Sequence, residues 1–137
     1  MTSDYKRLVA NEEVKQIGID FDGVIHRNSL GYHDGTIYDP PMDGTREALE
    51  DLSSRFDIVV YTCKAKPDRE LVNGKTGTQL IWEWLKENGL DIYVKEVTSE
   101  KPRAAFYIDD KAYRFRDWTS MMNTIATGGW RDRSHTS

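Results

Sequence analysis

Three short apolar runs in this chain each lead into side chains that can do chemistry. The runs are residues 14–19, 58–61 and 104–108, and the polar side chains that follow them are Asp20 and Asp22, Thr62, and Asp109 and Asp110. In an open α/β sheet, ligands bind beyond the carboxyl ends of the strands. If the runs are neighbouring parallel strands, four carboxylates and a hydroxyl therefore come together at one edge of the sheet.

A cluster of four carboxylates is unfavourable by itself, because like charges at short range repel and raise one another's pKa values. A hard divalent cation relieves this repulsion. Mg²⁺ binds oxygen ligands, typically one or two carboxylates together with a substrate phosphate. Lys101, just before the third run, supplies a further positive charge. The sequence therefore predicts a magnesium site with room for a phosphate.

The elements that position these side chains follow from the same runs. All three are rich in β-branched or aromatic residues, are too short for a typical helix, and have the near-continuous apolar character of strands buried on both faces. Helices are predicted at about 45–54 and 77–88, and a further strand around 92–97. The stretch 111–116 is predicted to begin a helix after the third run. This alternation of strands and helices predicts an α/β fold with a central parallel sheet.

Two segments fall outside this alternation. Residues 24–41 contain two glycines, two histidines and isolated apolar side chains, and we interpret them as a small β-hairpin flap after the first strand. Residues 128–137 are polar and contain glycine, so we expect a flexible tail. The remaining stretch, 1–127, has the length of a single domain. The tryptophans at 82, 84 and 118 are predicted to anchor the core or an interface.

Composition narrows the class of protein. The chain has 137 residues, a net charge of −4 and one cysteine, Cys63. The negative charge argues against broad binding to nucleic acid or membranes, and a single cysteine excludes an internal disulfide framework. We expect a reducing, cytoplasmic location, because residues 1–11 are polar and no apolar stretch approaches the length of about 20 residues that crosses a bilayer.

Four segments together resemble the motifs of the haloacid-dehalogenase-like (HAD) phosphohydrolases. Residues 18–24 resemble the DxDG(T/V) signature of that family, and 59–62 its second motif, an apolar strand that ends in Ser or Thr. Lys101 and Pro102 resemble the third motif, and 107–110 the fourth, an apolar strand that ends in paired acids. The motifs occur in the expected order and span most of the chain.

The resemblance implies a role for each of these side chains. Asp20 is the nucleophile that forms an aspartyl-phosphate, and Asp22 is the general acid and base. Thr62 binds the phosphoryl oxygens, and Lys101 neutralises the transferring group. The magnesium ligands are the carboxylates of Asp20 and Asp110 and the backbone carbonyl of Asp22. The side chain of Asp22 is left free of the metal. Asp109 belongs to the same metal centre and orients Lys101 and metal-bound water.

The family also implies an overall architecture and an activity. The expected fold is a three-layer Rossmannoid α/β fold without a cap domain, because neither the interval 22–62 nor 62–101 has room for one. The expected enzyme is a Mg²⁺-dependent phosphomonoester hydrolase. Asp22 favours this activity over carbon–halogen cleavage, since dehalogenating members lack that second acid. An open site suits large substrates, such as a phosphorylated polynucleotide end, or else a homo-oligomer shields it. A phosphorylated small molecule is the other expected class of substrate.

Several residues near the motifs carry competing interpretations. Gly23, which allows a sharp turn, and Cys63 and Lys64, which follow Thr62, are placed with Thr62 as substrate-binding positions. For Cys63 buried packing is favoured, and for Lys64 and Lys66 a solvated loop is favoured over a basic rim. His26 and His33 either contact substrate or lie on the surface. Two other functions stay open, namely a non-catalytic metal- or phosphate-binding module and a phosphatase subunit that acts on nucleic-acid ends within a complex.

Overall fold

The computed structural model describes residues 15–109 and 113–127, which form a five-stranded parallel sheet with three helices. The strands lie in the order β3–β2–β1–β4–β5. They are β1 (Gln16–Asp20), β2 (Asp57–Tyr61), β3 (Glu96–Thr98), β4 (Tyr107–Asp109) and β5 (Tyr113–Arg114). The predicted α/β fold with a parallel sheet is confirmed.

The first strand lies at the centre of the sheet, between β2 and β4. Ile17 and Ile19 are fully buried, and on the other face the ring of Tyr107 lies so close to Gly18 that a Cβ there would be 2.8 Å from it. In β2, residues 58–60 are at most 1% exposed. Both strands are covered on both faces, as their continuous apolar sequences predict.

The helices predicted at 45–54 and 77–88 begin and end close to those positions. The three helices are α1 (Thr45–Ser53), α2 (Gly77–Glu87) and α3 (Trp118–Ala126). Thr76 and Gln79 form a capping box at the start of α2, and Asp117 caps α3. Trp84 and Trp118 are 5% and 2% exposed, so their predicted role as core anchors is confirmed.

One helix start predicted from the sequence is wrong. Residues 113 and 114, within the stretch expected to begin a helix, form β5, and α3 begins only at Trp118. Asp117 explains the later start, because its side chain accepts a hydrogen bond from the Ser120 backbone and satisfies an N–H that the first helical turn leaves free. The predicted tail, 128–137, lies outside the described residues.

The segment 24–41 does not form the predicted β-hairpin. It consists of turns, and the only bridge between two of its own residues joins His26 and Pro41. Asn28 and His33 adopt positive φ values of 56° and 53°, which interrupts extended pairing. The Tyr38 hydroxyl replaces backbone pairing, because it donates to the Gly31 carbonyl at 2.7 Å and accepts from the Leu30 N–H at 2.7 Å. We call residues 24–41 the site loop.

No helix within 15–109 and 113–127 is long and apolar enough to cross a membrane.

Candidate functional site

The register of the sheet brings three of the predicted strand ends to the same level. Asp20 pairs with Tyr61 across β1 and β2, and Ile19 pairs with Ile108, one residue before Asp109. Parallel strands lie about 4.8 Å apart, so Asp20 lies between the last residues of its two neighbours. The predicted meeting of Asp20, the end of β2 and Asp109 at one sheet edge is present.

Asp109 lies beside two donors at this edge. It is 5% exposed, and its Oδ2 accepts a hydrogen bond from the Tyr61 hydroxyl at 2.8 Å across the central strand. Lys101 Nζ lies 3.4 Å from the same oxygen and 4.3 Å from the ring centre of Tyr107. Burial, together with the bond to Asp109 and the charge of Asp20, raises the pKa of Tyr61 far above its ordinary value. The Tyr61 hydroxyl therefore stays protonated and donates to the carboxylate.

A second cluster surrounds Asp22, directly after β1. Lys64 Nζ lies 2.6 Å from Asp22 Oδ1, and the Thr62 hydroxyl donates to Asp22 Oδ2 at 2.9 Å. His26 Nδ1 lies 3.4 Å from Oδ1. Lys64 also donates to the side-chain carbonyl of Asn28 at 3.2 Å, which ties the cluster to the site loop. These five side chains form what we call the Asp22 cluster.

The Asp22 carboxyl is ionised in this arrangement. Burial acts to raise its pKa, but the hydrogen bonds from His26 and Lys64, the charge of Lys64 and the Thr62 hydroxyl outweigh burial, and the pKa of Asp22 lies below its usual value. The Asp22 side chain, expected from the sequence to be free of the metal, is held by three neighbours, Lys64, Thr62 and His26.

Lys64 is the residue whose environment differs most from the sequence interpretation. It is 5% exposed rather than solvated, whereas Lys66 is exposed as expected. Thr62 begins a 3₁₀ turn, Cys63–Ala65, and its side chain accepts from the Lys64 N–H at 3.2 Å, which turns the lysine inward. Cys63 points out of the same turn and is exposed, so the expectation of buried packing is wrong.

His26 is fully buried and His33 is exposed. For His26 the surface alternative taken from the sequence is wrong, since the side chain is fully buried. Its Nε2 accepts a hydrogen bond from the Asp39 N–H at 3.1 Å. Phe21, Tyr38 and Trp84 pack against its ring, and no pattern in the sequence around His26 signals that burial.

Gly23, next to Asp22, is exposed to solvent. Apart from its two chain neighbours, nothing lies within 4 Å of a Cβ placed on Gly23, whose φ of 86° gives the sharp turn expected of glycine. The Gly23 N–H, however, donates to the His26 carbonyl at 2.7 Å. Gly23 therefore shapes the turn and leaves room beside Asp22, while its N–H is already used within the protein.

The residues of this edge have the oxygen chemistry that Mg²⁺ requires, since Asp20 and Asp109 supply carboxylates at neighbouring strand ends. Asp110, the predicted direct acidic ligand, lies outside the described residues. Within 15–109 and 113–127, no three His, Cys, Asp or Glu side chains are grouped closely enough to hold a metal ion.

Comparisons of this chain with protein-family models, with curated proteins and with solved structures each found no match.

Proposed function

We propose that this chain is a Mg²⁺-dependent phosphomonoester hydrolase of the HAD type, with Asp20 as the nucleophile. One observation carries the proposal. Asp20, at the end of the central strand, lies at the same edge of the sheet as two lysines. Lys101 lies against Asp109 on one side, and Lys64 lies against Asp22 on the other. Carboxylates paired with positive charge beside open space suit phosphoryl transfer, in which catalysis is mostly positioning and charge stabilisation.

The proposed reaction has two steps. In the first, an Asp20 oxygen attacks the phosphorus, the ester P–O bond breaks, and the leaving oxygen takes a proton from Asp22. In the second, Asp22 takes a proton from a water molecule, whose oxygen attacks the phosphorus and releases phosphate and Asp20. A bound Mg²⁺ supplies positive charge that offsets the charges of the carboxylates and the phosphoryl oxygens.

The Asp22 cluster suggests how substrate enters this sequence. Thr62 and Lys64 are donors to Asp22 in the structure. Thr62 is also the predicted donor to the phosphoryl group, and Lys64 is placed beside it as a substrate-binding position. A phosphate dianion competes for both donors, because charge-assisted hydrogen bonds to phosphate are strong. Binding of substrate then transfers Thr62 and Lys64 from Asp22 to the phosphate and allows Asp22 to take up a proton.

We place the protein as a small, capless, three-layer Rossmannoid member of that family, in a reducing cytoplasm. The substrate is a phosphorylated small molecule or a phosphorylated polynucleotide end. Gly23 is exposed and the Asp22 side chain is 24% exposed, so the proposed site is accessible to either substrate class.

The test of the function is hydrolysis of an aryl phosphate with Mg²⁺ present. We expect turnover by the unaltered chain and loss of activity in excess EDTA. The rate is expected to fall at least about 10³-fold in Asp20→Asn, because the nucleophile and its charge are both lost. Asp57→Asn is the matched control, since Asp57 is an exposed carboxylate at the opposite end of β2. Activity that survives Asp20→Asn, or that persists in excess chelator, contradicts the proposal.

One observation favours a second candidate, a non-catalytic phosphate-binding module. Lys64 and Thr62 are two adjacent donors, and an anion that displaces Asp22 from them would be bound without chemistry. This candidate predicts saturable binding of inorganic phosphate, lost in Lys64→Met, with no turnover of any phosphate ester. Turnover that depends on Asp20 excludes it.

A further inference from the structure

The hydrogen bonds of His26 define which ring nitrogen carries the proton. The Asp39 backbone N–H can only donate, so His26 Nε2, 3.1 Å away, is an acceptor and carries no hydrogen. The proton of the neutral ring is therefore on Nδ1, which lies 3.4 Å from Asp22 Oδ1 and donates to it. The ring links the backbone of the site loop to the carboxylate of Asp22.

Aromatic neighbours hold the ring in this orientation. Phe21 stacks on it with ring centres 5.5 Å apart and an angle of 16° between the planes, and Tyr38 and Trp84 pack edge-on at 5.0 and 5.8 Å. Trp84 also donates to the carbonyl of Asp39 at 2.9 Å, so helix α2 holds the residue whose N–H binds His26. A fully buried ring with these contacts does not turn toward a substrate.

Asp22 has three side-chain partners, and they differ in what they can do when a phosphate binds. Thr62 and Lys64 are 4% and 5% exposed and carry rotatable donors, and they are proposed to move their hydrogen bonds to the phosphoryl group. His26 has no such freedom, because both its nitrogens are engaged and its ring is enclosed. It is the partner that stays on Asp22 after the other two have left.

We propose that His26 is a positioning residue that holds the Asp22 carboxylate at the leaving-group oxygen once Thr62 and Lys64 have engaged the phosphate. This inference rests on the proposed phosphatase function. It predicts that His26 affects proton delivery to the leaving group, an effect that a residue serving only to fill the core does not have.

Two substitutions separate the two ends of the ring. In His26→Asn the amide nitrogen takes the place of Nδ1 and keeps the donor to Asp22, while the acceptor for Asp39 is lost. In His26→Gln the amide oxygen takes the place of Nε2 and keeps the acceptor, while the donor to Asp22 is lost. Both remove the aromatic ring, so their cost in packing is similar, and thermal unfolding establishes that both fold.

The readout is kcat for two substrates, an alkyl phosphate and a nitrophenyl phosphate. An alkoxide leaves poorly and needs a proton from Asp22, whereas nitrophenolate leaves without one. General acid catalysis contributes about 10²–10⁴-fold. We therefore expect His26→Gln to lose about 100-fold on the alkyl phosphate and less than about 10-fold on the nitrophenyl phosphate, and His26→Asn to retain most of the rate on both.

Each other outcome overturns the inference in a recognisable way. Equal losses on the two substrates, or equal losses in the two variants, mean that His26 only supports the fold, while the phosphatase function stands. If the unaltered chain hydrolyses neither ester, the proposed function fails and the positioning role fails with it. A nitrogen-15 NMR spectrum tests the geometry without an activity assay. The signals of His26 are those that disappear in His26→Gln, and a proton on Nε2 in those signals contradicts the assigned tautomer.

Discussion

Replacing Lys64 by Met removes the buried positive charge beside Asp22 and keeps a side chain of similar length. Removing one partner of a buried ion pair costs about 3–5 kcal/mol, because the other charge stays buried. Asp22 is 24% exposed and keeps its bonds to Thr62 and His26, so we expect the lower end, about 3 kcal/mol. This loss is a large part of the about 5–15 kcal/mol by which a protein of this size is stable. We expect it to lower the unfolding temperature by roughly 10 °C.

The deficit in Lys64→Met depends on pH in a defined direction. The pKa of Asp22 is lowered in the folded protein, so Asp22 contributes stability that is present above its unfolded pKa and is lost as the pH falls through the folded value. Without Lys64, burial acts against fewer opposing contacts and the pKa of Asp22 rises. The stability difference between the two proteins is therefore largest near neutral pH. It shrinks as the pH falls through the pKa of Asp22 in the variant and then through its lowered pKa in the unaltered protein, which lies below the usual value.

Urea unfolding at neutral and acidic pH measures this effect. Lys66→Met is the matched control, since Lys66 is exposed on the same segment and its replacement is expected to change stability by less than about 0.5 kcal/mol. The double variant Asp22→Asn, Lys64→Met completes a cycle in which the double loss is smaller than the sum of the two single losses. Additive losses, or a Lys64→Met deficit that is the same at both pH values, refute the reasoning.

Two other substitutions test how the site is held, each measured by chemical or thermal unfolding. A Cβ at Gly77 would overlap the backbone carbonyl oxygen of Lys64, so Gly77→Ala is expected to lower the free energy of unfolding by about 3 kcal/mol or more. The control, Thr78→Ala at the next position, is expected to have a small effect. An unchanged unfolding midpoint in Gly77→Ala contradicts this close approach. Tyr61→Phe removes the hydroxyl that donates to the buried Asp109 and is expected to lower the free energy of unfolding by about 1.5–3 kcal/mol. The control, Tyr32→Phe, changes an exposed tyrosine and is expected to have little effect. Equal effects in the two variants count against the hydrogen bond across β1.

The strands of this protein could be predicted because local sequence determines them. Continuous apolar runs of β-branched and aromatic residues form strands where both faces are covered, so the composition of residues 58–60 in β2 is enough to indicate a parallel sheet. Parallel strands place their carboxyl ends together, and the positions of Asp20, Thr62 and Asp109 at one edge follow from that geometry. Asp110, predicted as a metal ligand, lies outside the described residues.

The environments of individual polar side chains could not be predicted in the same way. Lys64 and His26 stand in polar stretches that are typical of solvated loops, yet they are 5% and 0% exposed. Their burial depends on the site loop, which folds back through single contacts such as Tyr38 to Gly31 and not through a hairpin. Such contacts join residues that are not neighbours in the chain and produce no periodic pattern.

By itself, the sequence determined the parallel sheet, the strands β1, β2 and β4, the helices α1 and α2, and which acids end the strands. Hydrophobic periodicity and helix capping act over a few residues, so local sequence is enough for these features. Only the tertiary structure decided that Asp22 is bound by Lys64, Thr62 and His26, and that its carboxyl is ionised. The pKa of a buried carboxyl depends on charges and donors within a few ångströms in space, and two of these donors come from a segment about 40 residues away in the chain.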